Sequence, residues 1–246
     1  MSKVLVIGDS CTDVFVYGSI DRVCPEAPVP VFKPLRQKEN GGMAKNVVSN
    51  LKALGLDVDV ITNPNDIKKI RYIDDKSNQM VLRVDEHDYC EEVDNDMLEY
   101  VVNNEFDAII ISDYCKGFLL EEDIQYICDN CDNVFIDTKK QLGDWIKNAN
   151  FIKINDLEHK KNFDVIPNYP ELNDKLIVTQ GKHGCIYQKK VYPTKEVPVK
   201  DVSGAGDTFL AGLVYEYIKT NDIEKAIEFA QKCTTEVVQK LGVSTI

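Results

Sequence analysis

Five short apolar runs, set apart by stretches of helical spacing, limit what this chain can fold into more than any other feature: residues 3–8, 107–112, 134–137, 151–154 and 175–179. None alternates strictly between apolar and polar, as a continuous run does when a strand is buried on both faces of a parallel sheet. Helices are predicted near 93–104, 120–128 and 142–148, so strand and helix alternate and the fold class is α/β with right-handed crossovers. In open sheets of this kind ligands gather beyond the carboxyl ends of the strands. That places Asp9 and Asp13 after the first run, Asp113, Lys116 and Gly117 after the second, and Asp137 and Lys139 after the third.

A different pattern occupies residues 14–36 and 68–85. Pro25, Pro28, Pro30 and Pro34 break the first of these and rule out a central strand, so both segments read as edge strands of a small projecting sheet. Residues 70–73 and 79–84 would pair across a polar turn at 74–78. Between the two segments, Gly41 and Gly42 precede a helix carrying Ala44, Val47, Val48, Leu51 and Leu54 and closed by Gly55. The glycines allow backbone approach to a ligand. Asn46 and Lys45 sit on its first turn, free to face either a substrate or solvent.

The stretch Asp201-Val202-Ser203-Gly204-Ala205-Gly206-Asp207-Thr208-Phe209 opens an apolar helix with almost no side chain at its mouth. Amides of Gly204, Ala205 and Gly206 can converge on a phosphoryl oxygen, with the helix dipole behind them. A carboxylate next to a bound anion repels it, so Asp207 reads as a general base for an attacking hydroxyl. A plain turn with an acidic first helical turn is the other reading of the same residues. Asn155 and Glu158, three apart, share one face of a helical turn and could order a magnesium ion through its waters; a helix cap explains them equally. Thr179, Gly181 and Gly184 form a strand–turn–strand where backbone could approach a nucleotide. A last helix runs from Ile223 towards Leu241, with Asn221 and Glu224 as its expected capping box.

Composition excludes more than it selects. A net charge of −12 argues against a nucleic-acid surface or an anionic membrane as partner, so any polyanion site must be locally positive. No stretch approaches the roughly 18 apolar residues of a membrane span, and a cytoplasmic protein is expected. The 8 cysteines show no framework spacing and read as reduced, buried side chains, Cys128 and Cys131 included. The 246 residues read as one domain.

Asp201–Thr208, Gly41-Gly42-Met43-Ala44-Lys45-Asn46 and Asn155-Asp156-Leu157-Glu158, in that relation, resemble the motifs of the ribokinase-like (pfkB) carbohydrate kinases. The likeness extends over nearly the whole chain. Arg22–Val31, Ser112-Asp113-Tyr114-Cys115-Lys116-Gly117 and 240–245 look most like the heptose-7-phosphate kinase branch, the kinase half of bifunctional ADP-heptose synthesis enzymes. The resemblance implies a three-layer α/β/α sandwich with a small β lid, and phosphoryl transfer from ATP with Mg²⁺. It implies Asp207 as base, Gly204, Ala205 and Gly206 as anion hole, and Asp13, Gly41, Gly42, Asn46 and Lys116 on the sugar. Asn155, Thr179, Gly181, Gly184, Gly204 and Gly206 would lie on the nucleotide, and Asn155 and Glu158 on the metal. A homodimer through the lid is the implied assembly. Family members carry a helix and strand before residue 68 and a longer segment across 160–174, so two trimmed stretches are expected. With no nucleotidyltransferase half after Ile246, a second enzyme would complete an ADP-heptose route. Another pfkB sugar kinase, or a catalytically idle sugar- or nucleotide-binding protein, are the alternatives.

Overall fold

In Lys3–Gly8 (β1) successive side chains serve opposite faces of one sheet: Leu5 and Ile7 join one apolar cluster, Val4 and Val6 the other. Burying each such side chain contributes about 1.5–3 kcal/mol, which is why the run shows no alternation. The computed structural model describes residues 2–240, 242 and 244–246. Around β1 lie Asp57–Thr62 (β4), Ala108–Asp113 (β7), Val134–Thr138 (β8), Phe151–Asn155 (β9), Leu176–Thr179 (β10), Cys185–Tyr187 (β11) and Lys190–Tyr192 (β12). Their order is β12-β11-β10-β9-β8-β7-β1-β4, parallel throughout except for the antiparallel β11 and β12.

Helices cover both faces. Ala44–Ala53 (α1), Ala205–Thr220 (α5) and Ile223–Val237 (α6) pack on the Val4 side, and Asn95–Asn103 (α2) with Glu121–Asn130 (α3) on the Leu5 side. The remaining short helix is Asp156–Lys161 (α4). The three-layer α/β/α class expected from sequence is the class observed. Among the described residues no helix is long and apolar enough to cross a membrane.

The lid is a second, four-stranded sheet. Ser10–Val23 (β2), Pro30–Met43 (β3), Ile67–Asp74 (β5) and Met80–Glu86 (β6) run in the order β3-β2-β5-β6. The two expected hairpins are joined by parallel pairing of β2 with β5, so β2 is an interior strand and not an edge. Its sequence permits this, because Pro30 and Pro34 lie on β3 and Pro25 and Pro28 in the turn. Only Asp9 separates β1 from β2, and Asn63 Oδ1 accepts from the Ser10 amide at 2.7 Å, fastening the lid's root to the end of β4.

Three local expectations are corrected. Residues 142–148 form a single 3₁₀ turn, Asp144–Ile146, not a helix: too few residues follow Gly143 to offset nucleation, and Trp145 and Ile146 anchor the turn in the core instead. The cap of α6 is Asp222, whose Oδ1 accepts from the amides of Glu224 and Lys225 at 3.1 and 3.2 Å. Asn221 instead ends α5 with a left-handed φ of 49°, a conformation asparagine tolerates. The last helix ends at Val237, with Val238 as its C-cap, short of the expected Leu241, which itself lies outside the described residues. The segment 160–174 is built of 3₁₀ turns, Ile166–Asn168 and Pro170–Asp174, in keeping with its prolines.

Candidate active site

Asp207 sits in the first turn of α5 and is buried, only 4% exposed. Gly204 before it adopts φ 77°, the left-handed turn that points the chain from the loop into the helix. The first intrahelical bond is Thr208 N to Gly204 O, so the amides of Gly206 and Asp207 have no acceptor within the helix. Ala205 differs from expectation. Its amide already donates to Val202 O at 3.2 Å, so it is not free for the anion hole expected from the sequence.

The Asp207 carboxylate is held from two sides. Tyr114 Oη donates to Oδ1 at 2.6 Å and Asn46 Nδ2 to Oδ2 at 2.9 Å. Burial raises its pKa to about 6, against the pull of those two hydrogen bonds; the charge of Asp137 raises it further and that of Lys153 lowers it. A carboxyl so placed exchanges its proton close to neutrality. Each oxygen accepts one of these bonds and keeps a lone pair for a substrate.

Asn46 is spent here. Its amide also reaches Gly204 O at 3.4 Å, its oxygen accepts from Asn50, and it is 1% exposed, so it holds the Asp207 carboxylate and does not line the lid pocket, where the resemblance would put it. Asp9 is likewise taken. Its carboxylate accepts the amides of Tyr114 at 2.6 Å, Lys116 at 3.1 Å and Phe118 at 3.4 Å, which makes it the clamp of the loop after β7 and leaves nothing for a polyol.

The first turn of α5 is a wall between two pockets. Ser203, Gly204 and Asp207 face one of about 310 Å³ beneath the lid, which Asp13, Met43, Lys69, Arg71, Arg83, Tyr114, Lys116 and Lys139 also line. Ala205, Gly206 and Phe209 face another of about 110 Å³, and there Thr179, Gly181 and Gly184 come together with Thr194, Gln231 and Thr234. A groove of about 670 Å³ along β12 and α6 shares Thr194 and Gln231 with it. Of the residues expected on the nucleotide, Thr179, Gly181, Gly184 and Gly206 thus meet on one side, whereas Gly204 lines the lid pocket and Asn155 lines neither; of those expected on the sugar, Asp13 and Lys116 line the lid pocket and Gly41, Gly42 and Asn46 do not. Gly42 explains itself by contact: a Cβ there would lie 2.3 Å from Asp13 Oδ2 and 2.6 Å from Cys11 Sγ. Gly41 closes on the Lys45 stem, and Lys45 itself is solvent-exposed.

Most of the charge in the lid pocket escaped sequence reasoning. Arg71 pairs with Asp13 at 2.5 Å, and Lys116 with Asp88 at 2.5 Å. Lys69 is buried, and its nearest carboxylates, Asp88 and Asp85, stand off at 3.8 and 4.0 Å. Burial and the neighbouring Lys116 charge push its pKa below the usual lysine range. Strand period was the available signal, since Lys69 and Arg71 lie two apart on β5 and so share a face.

Asn155 and Glu158 form a reciprocal cap of α4: Asn155 Oδ1 accepts from Glu158 N at 2.9 Å and Glu158 Oε2 from Asn155 N at 2.7 Å. Glu158 Oε1 takes Lys139 Nζ at 2.8 Å. Among the described residues no three His, Cys, Asp or Glu side chains group as direct metal ligands. Among the same residues Asp137 Oδ1, however, is buried without a partner, while Oδ2 takes Lys153 Nζ at 2.5 Å. Lys153 was missed as well. Its Nζ lies 2.9 Å from where a Cβ on Gly206 would stand, so it reaches the first turn of α5.

The pfkB family carbohydrate kinase pattern matches residues 74–246. The bifunctional protein HldE of a Nitratiruptor species is 31% identical over 293 aligned positions, covering 99% of this chain and 63% of the relative. HldE of Campylobacter fetus subsp. fetus is 32% identical over 294, covering 98% and 64%. The chain therefore spans under two thirds of the length of the curated relatives it matches. In fold it is similar to ribokinase from Thermotoga maritima, with a TM-score of 0.71 at 16% identity, covering 99% of this chain and 95% of that one. Arabidopsis thaliana ribokinase complexed with ribose and ATP gives 0.67 at 14%, covering 98% and 94%.

Proposed function

Since the chain belongs to the pfkB family of carbohydrate kinases, we propose that it transfers the γ-phosphoryl group of ATP to a hydroxyl of a phosphorylated sugar, heptose 7-phosphate at its anomeric hydroxyl. The observation that carries this reading is the wall itself: one helical turn presents Asp207 to the lid pocket and Gly206 to the nucleotide-side pocket. An acceptor hydroxyl beside Asp207 gives it a proton as its oxygen bonds to the γ-phosphorus. The bond from that phosphorus to the bridging oxygen breaks, and ADP leaves with the electron pair. The amides of Gly206 and Asp207 steady the charge on the phosphoryl oxygens, each such donor contributing about 10²–10³ in rate. ATP would lie along α6 past Gln231 and Thr234, its phosphates reaching Gly206 and Lys153.

The donor set fits a magnesium ion carried by the nucleotide phosphates and ordered through water. The unpartnered Asp137 oxygen, with Asn155 and Glu158 at the next strand end, would receive those waters. Bound there, the ion supplies charge neutralisation at the phosphates. All 8 cysteines are unpaired thiols, which supports the cytoplasmic placement that an ATP-dependent enzyme needs.

Lys69, Arg71, Arg83 and Lys116 support a phosphate on the acceptor, because an anion among them would offset charge that Asp13, Asp85 and Asp88 balance only in part. In a coupled ADP-release assay over sugars and sugar phosphates, heptose 7-phosphate should exceed unphosphorylated sugars in kcat/KM by about 10²-fold or more, from one desolvated charge-assisted contact or two. Equal turnover of neutral sugars would remove the phosphate from the reading. ATP binding without turnover on any acceptor would favour an idle binding protein.

The lid supports a homodimer. Leu35 on β3 and Met80, Val81 and Leu82 on β6 are exposed apolar residues on its two edge strands. Sedimentation should give a dimer that Leu82→Asp converts to monomer; a monomeric wild-type chain would end this assignment.

A further inference from the structure

We propose that Tyr114 is a positioning residue for the transfer step, its hydroxyl orienting the Asp207 carboxylate towards the acceptor. The inference rests on the reading of Asp207 as the base and adds a residue to it. Tyr114 lies in the turn after β7, and three features fix it there. Its amide and that of Lys116 are held by Asp9, itself the residue between β1 and the lid. Lys139 Nζ lies 4.5 Å from the centre of its ring while pairing with Glu158. Its hydroxyl makes a 2.6 Å bond to Asp207 Oδ1. Burial above all, and then the Asp207 charge, push the phenol well above its usual pKa, so it remains a donor wherever the carboxylate is ionised.

A hydrogen bond to the charged form favours it, so Tyr114 lowers the pH at which Asp207 becomes a base. The other groups facing Asp207 come from every neighbouring element: Asn46 on α1, Asp137 and Lys139 at the end of β8, Lys153 on β9 and Cys11 on β2. Cys11 is buried with its pKa raised to about 12, a neutral thiol across the working range. Of the two donors on the carboxylate, Tyr114 alone can be removed without changing the shape of the site.

The test is Tyr114→Phe, followed as kcat/KM and kcat over roughly pH 5 to 9 with ATP and the best acceptor. The acid limb should move up by about one pH unit and kcat fall about 10-fold, with KM for both substrates within about two-fold. An unmoved limb overturns the proposal, whether turnover is unchanged or falls with a matching rise in acceptor KM. Near-normal turnover of Asp207→Asn, measured alongside, would instead remove the base reading on which this rests. Replacing Tyr114 by 3-fluorotyrosine keeps the ring and strengthens the donor, so the limb should move down; a shift up or none overturns the proposal even if the phenylalanine variant folds poorly.

Discussion

Asp207→Asn should lower kcat by about 10²-fold or more while leaving KM for ATP and acceptor within a few-fold, because the change removes a proton acceptor and almost no volume. The transition state of phosphoryl transfer is loose, so positioning by the anion hole and lid survives and some turnover remains. In the wild type, activity should fall as the pH drops through about 6, where burial has brought the Asp207 carboxyl, because a protonated carboxyl cannot take the acceptor's proton. Stability should move the opposite way. A carboxyl whose folded-state pKa is raised favours the folded form at low pH, and that contribution is lost as the pH rises from the unfolded value of 3.8 through about 6. Above that window Asp207→Asn should therefore melt higher than the wild type, losing activity while gaining stability. A variant that loses both would mean that Asp207 is a structural group, and one that keeps near-normal turnover would remove it from the chemistry.

The elements that could be read from sequence are those whose local pattern and tertiary setting demand the same residues. Strands β1, β7, β8, β9 and β10 are buried on both faces, so their apolar runs were visible without knowing their neighbours. The glycines of Gly204–Asp207 stood out for a local reason too, since Gly204 takes a left-handed turn and a Cβ on Gly206 would crowd Lys153. What sequence could not resolve was competition for a polar side chain. Asp9, Asp13 and Asn46 are each a polar residue near a strand or helix end, and nothing local distinguishes them. Only folding shows that Asp9 faces the amides of the 114–118 loop, that Asn46 faces Asp207, and that Asp13 alone stands in the lid pocket opposite Arg71. Long-range pairing explains the lid too. Prolines mark an edge wherever they fall, yet they are silent about β2, whose neighbours β3 and β5 come from both sides of α1 in the chain.

Lys153 is the residue where stability and chemistry should separate most clearly. It projects from β9 with its side chain only 5% exposed, beside a partner that is equally enclosed and within 2.9 Å of the space Gly206 leaves empty. Lys153→Met keeps the stem and removes the charge. Asp137 would then carry a buried carboxylate with neither oxygen satisfied, since Oδ1 already lacks a partner, and breaking such a pair costs about 3–5 kcal/mol. Lys153→Met should therefore melt well below the wild type and turn over about 10²-fold more slowly, the latter because the phosphoryl group loses a cation on the nucleotide side of the wall. The double variant Lys153→Met/Asp137→Asn removes the orphaned charge and should recover most of the melting temperature. It should recover none of the rate. If turnover returned with stability, Lys153 would be a strut for Asp137 and the phosphoryl group would be held by backbone amides alone; if neither returned, the pair would be needed for the geometry of the β8 and β9 ends, and the charge on Lys153 would have no separate part in transfer.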